Sequence, residues 1–177
     1  MADFDQAFDK TVRRWEGFAL TDAAGDHGGQ TYAGISRRFW PGWAGWGLVD
    51  AGKPVPGDLV RAFYREQFWG AVQGDALVHQ DVAEIIFDWA VNAGRAKAVA
   101  LTLEVLGLPS TLGMVATVRE LNTLDSPRLF VCEYALRRVA HRVTAVKRDA
   151  TQAKWLKGWL ARDLFFVLGD GQARSGD

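Results

Sequence analysis

Residues 15–35 read WEGFALTDAAGDHGGQTYAGI. Upstream of this stretch Phe4, Ala7, Phe8, Val12 and Trp15 recur at helical spacing, with Asp3 or Asp5 available as a cap, which predicts a helix over residues 4–16. Gly17 ends it. Residues 17–35 then hold five glycines and alternate poorly, which predicts a loop or a small irregular β-hairpin. Glu16 thus stands at a helix end, facing Asp26 and the Thr31 hydroxyl across a tight loop.

Working outward, Ser36 can cap a short helix over residues 37–39 that Pro41 stops. Residues 41–57, PGWAGWGLVDAGKPVPG, read as a long loop in which Trp43, Trp46 and Leu48 seek burial. Asp58 reads as the N-cap of a helix over residues 59–69. In the next helix Val82, Ile85, Ile86 and Trp89 form one stripe, Asp81 starts it, and Asn92-Ala93-Gly94 closes it. Further helices are expected over residues 95–106, near 115–121, and from Ser126-Pro127 to about Lys147. For the long one, the apolar side is assigned to Cys132, Leu136, Val139, Val143 and Val146. Trp155, Leu156, Trp159, Leu160 and Leu164 predict a last amphipathic helix, and residues 169–177 a frayed tail. The fold class is mainly α: an α+β helical bundle whose small N-terminal hairpin carries the active site.

The chain has 177 residues, 49% hydrophobic and 24% charged, so one packed core is expected and disorder is not. Basic and acidic residues both number 21, which argues against a nucleic-acid partner held by phosphate neutralisation. Eight tryptophans and ten phenylalanines read first as core, with stacking on sugar rings as the alternative. Cys132 is the only cysteine and reads as a small buried hydrophobe. His27, His79 and His141 lack metal-ligand spacing, so neither a metal nor a cofactor is expected. The N-terminus lacks a Sec signal pattern and no run of 18 apolar residues exists. A monomer without stable membrane insertion is expected, made in the cytoplasm.

Glycosidic cleavage needs a carboxylic acid to protonate the leaving oxygen, and a second group to manage the oxocarbenium-like transition state. Glu16 suits the acid: Trp15 and Phe18 offer apolar surroundings of the kind that keep a carboxyl protonated. Asp26 suits the second role, as a stabiliser of the cation or a base for water, with an Asx-turn that builds the loop as the alternative. Thr31 suits a water-holding hydroxyl or an ordinary strand threonine. Glu66, Glu84 and Glu104 have no glycine loop beside them and read as solvated.

The pattern E-G-x-x-x-x-D-x-x-G-D-x-G-G-x-T-x-x-G-I resembles the signature of glycoside hydrolase family 108, peptidoglycan N-acetylmuramidases found as phage endolysins and as muramidases tied to bacterial protein release. Downstream, DLVRAFYREQFW (58–69) and VAEIIFDWAVNAG (82–94) are similar to later segments of that family. WLKGWLAR (155–162) matches a terminal GWxxR pattern of its small peptidoglycan-binding region. Phe18 stands where the family has a second glycine, and His27 where it has proline.

The resemblance implies a lysozyme-like α+β fold. It also implies a muramidase region over 1–94 and a wall-binding-like helical region over 95–168, packed into one unit. Glu16 is then the essential acid, with Asp26 and Thr31 catalytic in an inverting reaction. His27, Gln30, Tyr32, Asp88 and Asn92 contact or brace the substrate, a peptidoglycan glycan strand; the alternatives are a tolerated loop residue at His27 and a helix C-cap at Asn92 with Asp88 as its partner. The enzyme would act in the periplasm or cell wall after release by a holin, an export partner or lysis. A lytic transglycosylase on the same bond, or a non-catalytic wall-binding module, are the alternatives.

Overall fold

The computed structural model describes residues 1–22 and 29–169. Asp3 caps α1 (Phe4–Phe8), its Oδ1 accepting from the amides of Asp5 at 2.7 Å and Gln6 at 3.2 Å. The chain does not continue as the expected regular helix. From Asp9 to Glu16 it widens into a π-helical segment, and Gly17 N–H donates to the Val12 carbonyl five residues back at 2.9 Å. Such segments are rare and re-aim the side chains they carry. Gly17, at φ 68°, ends the segment directly after Glu16.

A three-stranded antiparallel sheet follows, formed by β1 (Leu20–Thr21), β2 (Thr31–Tyr32) and β3 (Ile35–Ser36) in the order 1-2-3. Leu20 pairs with Tyr32, and Tyr32 with Ile35. The β2–β3 turn is two residues long, with φ 49° at Ala33 and 76° at Gly34, the sign that tight hairpin turns demand. The mainly helical fold with a small N-terminal sheet is as expected.

Three expectations are corrected between the sheet and the central helix. Ser36 lies in β3 rather than capping a helix, and residues 37–39 are turns. The supposed loop 41–57 contains α2 (Gly45–Asp50), fixed because Trp43 and Trp46 bury and the Trp46 indole N–H donates to the Trp40 carbonyl at 2.8 Å. Tertiary packing here outweighs a composition that favours loop. Asp58 sits inside the first turn of α3 (Gly57–Tyr64), whose cap is Pro56. A second π-helical segment, Arg65–Trp69, follows Tyr64 directly.

α4 (Gln80–Ala93) runs through the middle of the molecule, and every residue from Val82 to Ala90 is buried, so the expected single stripe is a full circumference. Glu84 is buried too, against expectation; its oxygens accept from Lys10 Nζ at 2.9 and 2.7 Å and from Gln80 Nε2 at 2.7 Å, tying α4 to the segment that ends on Glu16. Around α4 pack α5 (Arg95–Val105) and α7 (Pro127–Arg148), with α6 (Met114–Asn122) against α5 and α8 (Leu156–Leu168) against α7. One hydrophobic core extends from Ala2 to Phe166. Among the described residues, no helix is long and apolar enough to cross a membrane.

The ends of α7 match the expectation, with the Ser126 hydroxyl accepting from Leu129 N–H at 3.3 Å and Pro127 in the first turn. Its buried face does not. Phe130, Val131, Tyr134, Ala135, Arg138 and Arg142 point inward, while Leu136 and Val143 are exposed. In α8 the buried residues are Arg162, Asp163, Phe165 and Phe166, and Trp159, Leu160 and Leu164 are half-buried. The arginines carry the inner face because acidic partners await them in the interior.

Chemical denaturation of two variants tests this facing: Phe130→Ala is expected to cost about 3–5 kcal/mol, and Leu136→Ser at most about 0.5 kcal/mol. Equal losses would mean that α7 is rotated.

Candidate active site

Glu16 leaves the π-helical segment with its side chain 21% exposed, so it is held by the protein yet open to a ligand. Trp15 packs edge-on against Phe165 of α8, with ring centres 6.0 Å apart, which supplies part of the expected apolar surroundings. Phe18, in the place of a glycine, turns its ring toward Phe8 at 6.4 Å and stays 41% exposed.

The β2–β3 turn closes over Glu16. A Cβ on Gly34 would lie 2.8 Å from Glu16 Oε2 and Cγ, and 2.6 Å from the Tyr64 hydroxyl. Glycine is required here by space as well as by its positive φ. Ala33, strained at φ 49° and fully buried, gives its carbonyl to the Tyr64 hydroxyl at 2.7 Å. Burial, followed by the Glu16 charge, pushes the Tyr64 phenol well above its ordinary pKa, so it remains a neutral donor.

On the other side of Glu16 stands Arg162, from α8 and 146 residues away in sequence, whose Nη1 donates to Glu16 Oε1 at 2.7 Å. Its Nε donates to Asp88 Oδ1 at 2.8 Å. Burial works against the Arg162 charge, but the carboxylates of Asp88 and Glu16 outweigh it and raise its pKa. Arg138 Nη2 lies 2.6 Å from Asp88 Oδ2 and 2.6 Å from Asp163 Oδ1. Arg142 Nε meets Asp163 Oδ2 at 3.2 Å, and its Nη2 donates to Asn92 Oδ1. Burial lowers the Arg142 pKa despite Asp163. Both guanidiniums lie over the Trp89 ring, at 5.0 and 4.5 Å.

These contacts place the expected site residues. Asp88 is fully buried with both oxygens taken by guanidiniums, so it braces Arg162. Asn92 belongs to the same cluster and binds Arg142. Thr31 is half-buried on β2, and its hydroxyl donates to the Gly29 carbonyl at 2.9 Å. Gln30 precedes it, half-buried, and Tyr32 stacks on Trp43 with ring centres 6.0 Å apart. Asp26 and His27 lie outside the described residues. Beyond Trp43, a cavity of about 410 Å³ is lined by Phe39, Trp40, Trp43, Leu59 and Phe63, with Glu66 and Gln67 also in its wall.

Sequence reasoning missed Gly34, Tyr64 and Arg162 as site residues. Each had been quoted inside a motif. No local signal says that the three converge on Glu16.

Residues 9–94 match the family model of glycosyl hydrolase 108. The match contains Glu16, Gly34, Tyr64 and Asp88, and it supports a glycoside hydrolase. It stops at Gly94, before the helix that carries Arg162. Among solved structures, SagA of Brucella abortus is similar in fold, with a TM-score of 0.66 at 23% identity, covering 94% of this chain and 97% of that one. No curated protein matches the chain.

Gly34→Ala is expected to drive Glu16 and Tyr64 from their positions, lowering the melting temperature and, on any substrate that Glu16 serves, the turnover by about 10²-fold. A Gly34→Ala protein with wild-type melting and turnover would show that the turn does not seat Glu16.

Proposed function

We propose that this chain is a peptidoglycan hydrolase that cleaves the β-1,4 bond between N-acetylmuramic acid and N-acetylglucosamine, with Glu16 as general acid. The observation that carries the reading is the seat of Glu16: a partly exposed carboxyl fixed between a glycine turn, a buried phenol and a guanidinium, inside the segment matched to glycosyl hydrolase 108. A carboxyl held this way delivers its proton to one position, where proton transfer and orientation both lower the barrier.

In this reading Oε1 is occupied by Arg162, and Oε2, beside Gly34, is the oxygen that serves the leaving group. Asp26 stabilises the developing cation or activates water, and Thr31 holds that water, giving inversion at the anomeric carbon. The Thr31 proton is committed to the Gly29 carbonyl, which leaves the hydroxyl oxygen free to accept from a water molecule. His27, Gln30 and Tyr32 contact the glycan, and the aromatic wall around Trp43 offers a surface on which sugar rings stack. No cofactor is required. The substrate lies in the cell wall, so the protein reaches it through a holin, an export partner or lysis.

Purified sacculi incubated with wild type and with Glu16→Gln test the assignment. Wild type is expected to release fragments with free reducing ends, and Glu16→Gln to be slower by about 10²–10⁴-fold. Equal rates for the two would remove Glu16 from the mechanism. Anhydro-muramoyl ends would make the enzyme a lytic transglycosylase, and binding without products would leave a wall-binding module.

A further inference from the structure

The GWxxR pattern that ends on Arg162 reads, from sequence, as part of a wall-binding region. The structure gives Arg162 different work. It is 6% exposed, and its guanidinium bridges the partly exposed carboxyl of Glu16 to the fully buried carboxylate of Asp88. We infer that Arg162 is a positioning residue for Glu16, held in register by Asp88, and that α8 is therefore part of the active site, not of a separate binding module. This rests on Glu16 being the acid.

The physical case has three parts. First, the direction of Arg162 is fixed from behind. Asp88 Oδ1 accepts from its Nε while Oδ2 is taken by Arg138, itself fully buried and locked between Asp88 and Asp163 at 2.6 Å each. A guanidinium is planar, so fixing the Nε–H fixes where Nη1 points, and Nη1 points at Glu16 Oε1. Second, the anchor is independent of the Gly34 turn and the Tyr64 phenol, so Glu16 is held from two sides by different elements. Third, an arginine this buried has little surface left with which to grip a polymer. Its remaining Nη2 is buried and, among the described residues, has no hydrogen-bond partner.

A lysine cannot reproduce this geometry. One ammonium is a point donor without the fork that spans two carboxylates in a set plane. Arg162→Lys therefore keeps the charge and loses the alignment, whereas Arg162→Gln loses both. The loss belongs in turnover, because the carboxyl is misplaced, and not in attachment to the wall.

The experiment measures kcat and KM on soluble peptidoglycan fragments, co-sedimentation with purified sacculi and thermal unfolding, for wild type, Arg162→Gln, Arg162→Lys and Asp88→Asn. Arg162→Gln is expected to keep sacculus binding and KM, and to lose kcat by about 10²-fold. Arg162→Lys is expected to recover less than half of that loss on a logarithmic scale. Asp88→Asn is expected to fall between them. If Arg162→Gln fails to fold, Arg162→Lys carries the test, with kcat reduced at least about tenfold at an unchanged KM.

A loss confined to KM or to sacculus binding would overturn the inference and return Arg162 to wall binding. So would wild-type kcat in either Arg162 variant. Should wild type cleave no peptidoglycan, the hydrolase reading fails separately. The positioning claim is then read from the carboxyl carbon resonance of Glu16, assigned with Glu16→Gln: a resonance unmoved by Arg162→Lys would sink it.

Discussion

Three guanidinium groups and three carboxylates share one hydrogen-bonded chain in this protein, and the arrangement of its helices depends on it. Arg142, Asp163, Arg138, Asp88, Arg162 and Glu16 follow one another, from α7 and α8 through α4 to the N-terminal π-helical segment. Moving such ions out of water costs several kcal/mol each, and the cost is recovered only when every charge finds its opposite in good geometry. The groups number three against three, with Glu16 the last carboxyl of the chain and the one member appreciably exposed. The aromatic faces of Trp89 and Phe166 cover Arg138, whose Nε and Nη1 have no hydrogen-bond partner among the described residues.

That chain explains which parts of the fold were legible. Caps and periodicity are local, so the bounds of α4, α5 and α7 could be read directly: Gly94 and Gly107 stop helices, and Ser126-Pro127 starts one. The placing of Glu16 at a segment end stopped by Gly17 was legible for the same reason. What failed was the facing of α7 and α8. An arginine on a helix reads as solvent-facing, and here Arg138, Arg142 and Arg162 face inward because Asp88 and Asp163 are there to meet them. Asp88 lies 50 residues from Arg138 and 74 from Arg162, a pairing that no window of sequence contains. The π-helical register at Glu16 was likewise invisible, because apolar spacing over eight residues does not separate i+4 from i+5 closure.

The two π-helical segments sit beside the two residues that enclose the turn. One ends on Glu16, and the other begins directly after Tyr64. Each replaces regular helical closure at a point where a side chain must aim at Gly34. Ala33 adds backbone strain at the same place, held by the Tyr64 hydroxyl. Local rules of helix and turn are thus broken together, within one small region, and the packed bundle behind it supplies the rigidity that tolerates this.

The distance in sequence between Glu16 and Arg162 has a consequence for the order of events in a living cell. Glu16 is synthesised 146 residues before its guanidinium partner in α8. While the chain is growing, the N-terminal segment can form its helix and hairpin, but Asp88 and Glu16 have no cation from α8 to bind. At roughly 5–20 residues per second, that interval lasts on the order of ten seconds. The complete carboxyl seat therefore comes into being only once α8 has been made.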